Sequence, residues 1–232
     1  MKVGITLPQF ADDAGPALAA AARAESLGLD GVFCFDHLWP MGQPGRPALS
    51  AWPLLGALVA STRTLTVGSL VARIGLLPDR LLESAARTVA ELSGGRFVAG
   101  IGTGDRQSAP ENRAFGVPYE HAAVRRRRLG AVAARLAGSG IPVWIGGGAP
   151  PTLEVARAHG LTVNLWGAWP ARVAALRSAG FGVSWGGELE GDTAAMAEGL
   201  AALAAAGATW AVVAAPASLD ALAEAARPVQ KA

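Results

Sequence analysis

Eight short apolar runs recur along the 232-residue chain, each followed by a stretch with helical spacing of Leu, Val and Ala. The runs are Val3–Leu7, Gly31–Phe35, Leu65–Val71, Phe97–Ile101, Pro142–Ile145, Thr162–Leu165, Phe181–Ser184 and Trp210–Ala214. Helices are expected over 15–27, 50–61, 78–92, 120–137, 151–159, 170–179, 192–206 and 218–226. Strict alternation of strand and helix forces parallel pairing through right-handed crossovers. The runs are apolar throughout, as strands covered on both faces must be. Eight such units in this length predict a minimal (β/α)8 TIM barrel with short insertions, one α/β domain over 1–232. A doubly wound open sheet is the alternative. A hydrophobic content of 51% against 16% charged residues supplies the core such a barrel needs.

The same numbers exclude several functions. A net charge of +2 offers no basis for nucleic-acid binding. No run of about 18 apolar residues is free of Gly, Pro or charge, so no membrane span is expected. The chain opens directly on a strand-like segment, MKVGITLPQF, so no signal peptide and a cytoplasmic location are expected. The lone Cys34 excludes an internal disulfide and fits a reducing compartment. No two histidines have metal-ligand spacing, so no metal is expected.

In a (β/α)8 barrel the active site lies where strands end. Here polar, aromatic and glycine residues collect at those ends, from Leu7-Pro8-Gln9 after the first strand to Trp185-Gly186-Gly187 after the seventh. Strand four breaks into Gly100, Gly102 and Gly104 and ends in Asp105. Glycine at alternate positions strips one strand face, which weakens a strand unless something flat lies against the backbone. GIGTGD lacks the GxGxxG spacing of a dinucleotide fingerprint. Asp36-His37 after strand two is the sharpest chemical pair, because an imidazole suits proton transfer or hydrogen bonding to a ring nitrogen or carbonyl. Gly146-Gly147-Gly148 opens a helix, where backbone N–H groups favour an anion, with Thr152 as a candidate cap. Asp105 and Glu111 place carboxylates after strand four, either as general acid and substrate contact or as solvated loop residues. Gln9, Trp39, Trp166 and Trp185 are candidates for the pocket wall around a flat ring. Trp52, Trp169 and Trp210 are expected in packing. His121, His159 and Arg125 to Arg128 are expected on helix surfaces.

In this order the motifs resemble the bacterial luciferase-like family of flavin and deazaflavin enzymes. The matching pieces are GITLPQF, GVFCFDHLW, LTVGSLV, LLESAARTVAELSGGRF, VAGIGTGD, AFGVPYE, PVWIGGGAPPTLEVARAHG and VSWGG. The resemblance implies the barrel, with a ring bound at the strand ends. Asp-His after strand two is most similar to the branch using the deazaflavin coenzyme F420. By that similarity His37 stands near the ring's reactive edge, and Asp105 falls where some members carry an acidic proton donor. Ser69-Leu70 falls at a bulge with a non-prolyl cis peptide behind the ring, and Gly147 and Gly148 bind the cofactor phosphate. Asp36, Ser69, Leu70, Gly102, Gly104 and Gly146 to Gly148 are thus the implied cofactor contacts, with His37 and Asp105 catalytic. The implied activity is hydride transfer between F420 and a small-molecule substrate. An FMN-dependent monooxygenase and a shortened barrel that binds a flavin without turnover are the alternatives. Members commonly dimerise, so a homodimer is expected. One departure stands out: the connection after strand seven is short, where the family usually inserts a cover. The site is therefore expected to be shallow or covered by a partner subunit.

Overall fold

A computed structural model describes residues 1–214, 216 and 218–231. Eight parallel strands close in sequence order: β1 (Lys2–Thr6), β2 (Gly31–Cys34), β3 (Thr66–Arg73), β4 (Phe97–Gly102), β5 (Val143–Gly146), β6 (Thr162–Trp166), β7 (Val183–Gly187) and β8 (Trp210–Val213), with β8 pairing back to β1. This is the (β/α)8 barrel, and the open-sheet alternative is excluded by closure. The helices are α1 (Gly15–Ser26), α2 (Ala51–Ser61), α3 (Asp79–Leu92), α4 (Ser108–Ala114), α5 (Ala122–Ala137), α6 (Pro150–Ala158), α7 (Pro170–Ser178), α8 (Thr193–Ala205) and α9 (Leu219–Lys231). One more helix forms than the periodicity predicts. α4 occupies what reads as a long loop after strand four, and its seven residues are too few to display a repeat.

The barrel helices turn their apolar residues toward the strands. In α3 the buried stripe is Leu82, Ala86 and Val89, spaced by four and three residues, and it packs into the larger core between strands and helices. A second, smaller cluster fills the barrel itself: Phe33, Leu70, Val98, Trp144, Trp210 and Val212. Phe33 stacks on Trp144 with centroids 5.2 Å apart and meets Trp210 edge-on at 5.6 Å. These rings need neighbours without side chains. A Cβ at Gly68 would lie 2.6 Å from Phe33, and one at Gly31 would lie 3.1 Å from Trp210. Truncating Phe33 to alanine therefore costs on the order of 3–5 kcal/mol, because no neighbour can collapse into the hole.

The strand starts are tied by charge. Arg96 donates to the carbonyls of Ser93, Leu65, Val59 and Thr62 and to the Thr62 hydroxyl. Gly94 and Gly95 make the turn before β4 with φ of 61° and 85°. Among the described residues no helix is long and apolar enough to cross a membrane.

Candidate active site

The strand ends enclose a cavity of about 630 Å³, within the size of small-molecule sites. Three elements build its chemical wall. The chain leaving β2 supplies Asp36 and His37, the end of β3 supplies Arg73, and α4 supplies Ser108 and, outside the lining, Glu111 as the partner of His37 and Arg73. Asp36 and His37 both line the cavity but take different partners. Asp36 Oδ2 accepts the Arg73 backbone N–H at 3.0 Å, joining the ends of β2 and β3. His37 turns instead to Glu111, Nδ1 to Oε2 at 3.3 Å. Burial pushes the Asp36 carboxyl upward, against the pull of the Arg73 N–H and the nearby charges of Arg73 and His37.

Glu111 is 1% exposed. Its Oε2 lies 2.6 Å from Arg73 Nη1, and Oε1 accepts the backbone N–H of Leu38. Burial alone would raise its pKa, but the hydrogen bonds from His37, Leu38 and Arg73 outweigh burial and lower it to about 2. Of the two readings open at residue 111, the solvated-loop one is thus overturned. Arg73, 4% exposed, was not a candidate at all. β3 runs two residues past the expected end at Val71, through a register shift between Ser69 and Ala72, and delivers Arg73 to the mouth. Its Nε and Nη2 are buried without a partner among the described residues.

The bulge in β3 gives the alternating glycines a different meaning from the expected one. A Cβ at Gly100 would strike the Ser69 carbonyl, and Cβ atoms at Gly102 and Gly146 would lie 2.7 and 2.8 Å from Val71. The stripped strand faces accommodate the chain's own bulge first, and Val71 rises above them into the cavity wall. Expected at Ser69-Leu70, the cis peptide joins Leu70 and Val71. Leu70 lines the cavity, whereas Ser69 is buried and donates from Oγ to the Gly100 carbonyl at 2.8 Å. Gly104, at φ 66°, lets the next loop cross the Arg73 stem, 2.6 Å from where a Cβ would be.

The glycine loop after β5 lines the cavity too, but with fewer donors than expected. Gly147 N–H is committed to the Asn164 carbonyl at 2.9 Å. Pro150 and Pro151 open α6 and carry no N–H. Ala149 is the N-cap, so Thr152 is not; its hydroxyl donates to the Ala149 carbonyl. Gly148 N–H makes no hydrogen bond among the described residues, and Arg172 donates to the Gly148 carbonyl at 3.1 Å.

Asp105 lies exposed at the rim of the cavity and accepts the Gln107 N–H at 2.9 Å. Trp166 lines the cavity over Gly186, 5.4 Å from Phe35. Three expected pocket residues lie outside its lining. Gln9 is fully buried and braces Phe35, accepting its N–H at 2.6 Å and donating to its carbonyl at 2.7 Å. Trp185 is buried with its Nε1 on the Ala168 carbonyl at 2.8 Å. Trp39 packs on Phe115 at 5.7 Å. Trp169, expected in packing, is 83% exposed because it caps α7 at the rim. Arg125, expected on the surface, is buried; it donates to the Thr103 carbonyl at 2.8 Å and lies over the Tyr119 ring, bracing the loop after β4. Among the described residues no group of three or more His, Cys, Asp or Glu could hold a metal.

A parallel barrel whose strand ends hold a histidine, a buried carboxylate and a cavity of about 630 Å³ defines an α/β barrel with a small-molecule site at its mouth. The model of the luciferase-like monooxygenase family matches residues 1–130, and the chain belongs to that family. A curated relative, the F420-dependent glucose-6-phosphate dehydrogenase of Beutenbergia cavernae, is 34% identical over 114 residues, 48% of this chain and 33% of that protein. The matched stretch is thus a third of the relative's length. Among solved structures, an F420-dependent secondary alcohol dehydrogenase in complex with an F420-acetone adduct superposes with a TM-score of 0.79 at 14% identity, covering 98% of this chain and 97% of that one. The coenzyme F420-dependent tetrahydromethanopterin reductase of Methanopyrus kandleri gives 0.73 at 14% identity, covering 97% of each chain. At such identities the likeness is one of fold.

Proposed function

We propose that the chain is an F420-dependent oxidoreductase that passes a hydride between the coenzyme and a small organic substrate. The observation that carries this is the wall itself: His37, set against a buried carboxylate, opens on the same cavity as the side-chain-free positions Gly102 and Gly146 beneath Val71. The F420-dependent enzymes among the curated and structural relatives support the same cofactor.

The residues fit a deazaflavin. Leu70 and Val71 offer an apolar face for a flat ring, and the cavity volume suits one ring with a small substrate beside it. Bound F420 would supply two-electron hydride chemistry. His37 would exchange the proton that accompanies the hydride, and Asp36 would hold the β2 and β3 ends in register beneath the ring. Gly148 and Arg172 would meet the phosphate, with Gly146 and Gly147 shaping the turn. Asp105, at the rim, would meet the substrate or donate a proton to it, with Trp166 as the opposite wall. The buried Gln9, Ser69 and Trp185 would act by bracing this wall. Trp39 would close the rim with Phe115.

A cytoplasmic homodimer completes the proposal. Trp166 and Trp169, 51% and 83% exposed beside the mouth, are the surface a second copy would cover. Light scattering of wild type and Trp169→Ser tests it: a dimer weakened by the substitution is expected.

A second reading, an FMN-dependent monooxygenase, is favoured by the chain's membership of the luciferase-like monooxygenase family. Titrating the ligand-free chain with F420 and with FMN, followed by turnover with secondary alcohols and sugar phosphates, separates the two. F420 preference with hydride turnover is expected, and His37→Ala should lower kcat by about 10²-fold while F420 affinity stays within a few-fold. FMN preference, or turnover untouched by His37→Ala, contradicts the proposal.

A further inference from the structure

Glu111 gathers four donors onto one buried carboxylate: His37, Arg73 and the backbone N–H groups of Leu38 and, at 3.4 Å, Trp39. Three of these donors are invariable. His37 has a choice, because a neutral imidazole carries its proton on either nitrogen, and its partner decides which. Leu38 is the neighbour of His37 in sequence, so its N–H fixes the carboxylate relative to the backbone that carries the ring. Arg73 holds the other oxygen, Oε2, at 2.6 Å, the same oxygen that faces His37 Nδ1. The carboxylate cannot swing away from Nδ1 without giving up one of them.

We propose that Glu111 is the positioning residue of this site: it holds His37 in the Nδ1–H tautomer and presents the bare Nε2 to the cavity as a proton acceptor. A carboxylate held near pKa 2 carries no proton at neutral pH, so between Glu111 and His37 the hydrogen bond runs from the ring. The tautomer stands independently of the cofactor; its use rests on the F420 reading. In alcohol oxidation the substrate C–H hydride passes to F420, the O–H proton goes to Nε2, and the O–H electron pair becomes the carbonyl π bond. The resulting imidazolium faces the Glu111 carboxylate. In the reverse direction the imidazolium returns the proton to the carbonyl oxygen.

The rival role for Glu111 is only to neutralise Arg73. The double variant Arg73→Met/Glu111→Leu separates the two, since it removes the pair together and leaves no lone buried charge. Ring-15N histidine NMR of the ligand-free chain, at a pH where the ring is neutral and with His37→Asn to assign the signal, reads the tautomer directly. The wild type is expected to be protonated at Nδ1 and bare at Nε2, and the double variant to shift toward Nε2–H. With the substrate found by screening, the double variant should lose about 10²-fold in kcat while KM stays within about threefold. A wild-type ring protonated at Nε2, or a double variant with unchanged tautomer and kcat, overturns the proposal. If the double variant does not fold, the wild-type spectrum decides alone. No cofactor enters that spectrum, so a chain that binds no F420 would sink the functional reading and leave the tautomer result standing.

Discussion

Arg96 at the strand starts and Arg73 at the strand ends are treated oppositely by the same barrel. Every guanidinium nitrogen of Arg96 donates to groups of the fold itself, at 2.6–3.3 Å. Glu25 on the same rim accepts from the N–H groups of Arg63, Thr64 and Leu65 and from the Thr64 hydroxyl. Arg73 is more deeply buried, yet only Nη1 is paired, and with a residue that also faces His37. A buried donor left unpaired costs about 1–3 kcal/mol. The starting rim is saturated and serves closure, whereas the mouth tolerates that cost beside its cavity, the division of stability from chemistry expected of (β/α)8 barrels.

The largest expected effect breaks the ionic wall. Glu111→Ala leaves Arg73 charged, buried and without its partner, so denaturant unfolding should show a loss of about 3–5 kcal/mol. Arg96→Met should lose less, about 2–3 kcal/mol, by removing charge-assisted bonds to carbonyls. If the two rims differ as described, F420 affinity survives Arg96→Met unchanged. A loss of binding there without unfolding would erase the distinction. Acid should act on both rims more gently. Glu25 and Glu111 each have a folded pKa of about 2, below the ordinary glutamate value of 4.5. At both sites burial pulls upward and the hydrogen bonds overrule it. Because the folded value is depressed, the stabilisation is present above about pH 4.5 and is lost as pH falls toward 2. Unfolding free energy measured from pH 6 to 3 should fall in the wild type and fall less steeply in Glu25→Gln and in Glu111→Gln.

The barrel was legible because its signal is repeated eight times and each repeat constrains the next. Asp36, His37 and the glycine loop were legible because residue type and strand-end position coincide. Three other features were not. Arg73 enters through a bulge that lengthens β3, and no local pattern announces a bulge. Glu111 rides a helix of seven residues, too short to declare periodicity, so its carboxylate read more readily as a solvated loop residue. The glycines of β4 signalled close approach, but not by what: a stripped strand accommodates a ligand or another strand's side chain equally, and here Val71 comes first. Trp169 and Trp185 exchanged expectations for a related reason, since strand alternation and helix capping, not residue type, decide which tryptophan faces solvent.

The central claim is that the ring of the cofactor lies against Val71 at the barrel mouth. Gly146→Ala tests it most directly, since the new Cβ would lie 2.8 Å from a terminal methyl of Val71 and crowd the side chain that lines the cavity. Fluorescence titration of both proteins with F420, with thermal melts alongside, is the measurement. Micromolar binding by the wild type, weakened about tenfold or more in a variant that still melts cooperatively, is the predicted result. Equal affinity in the two proteins would place the ring elsewhere, and no binding by the wild type would contradict the account of the mouth as an F420 site.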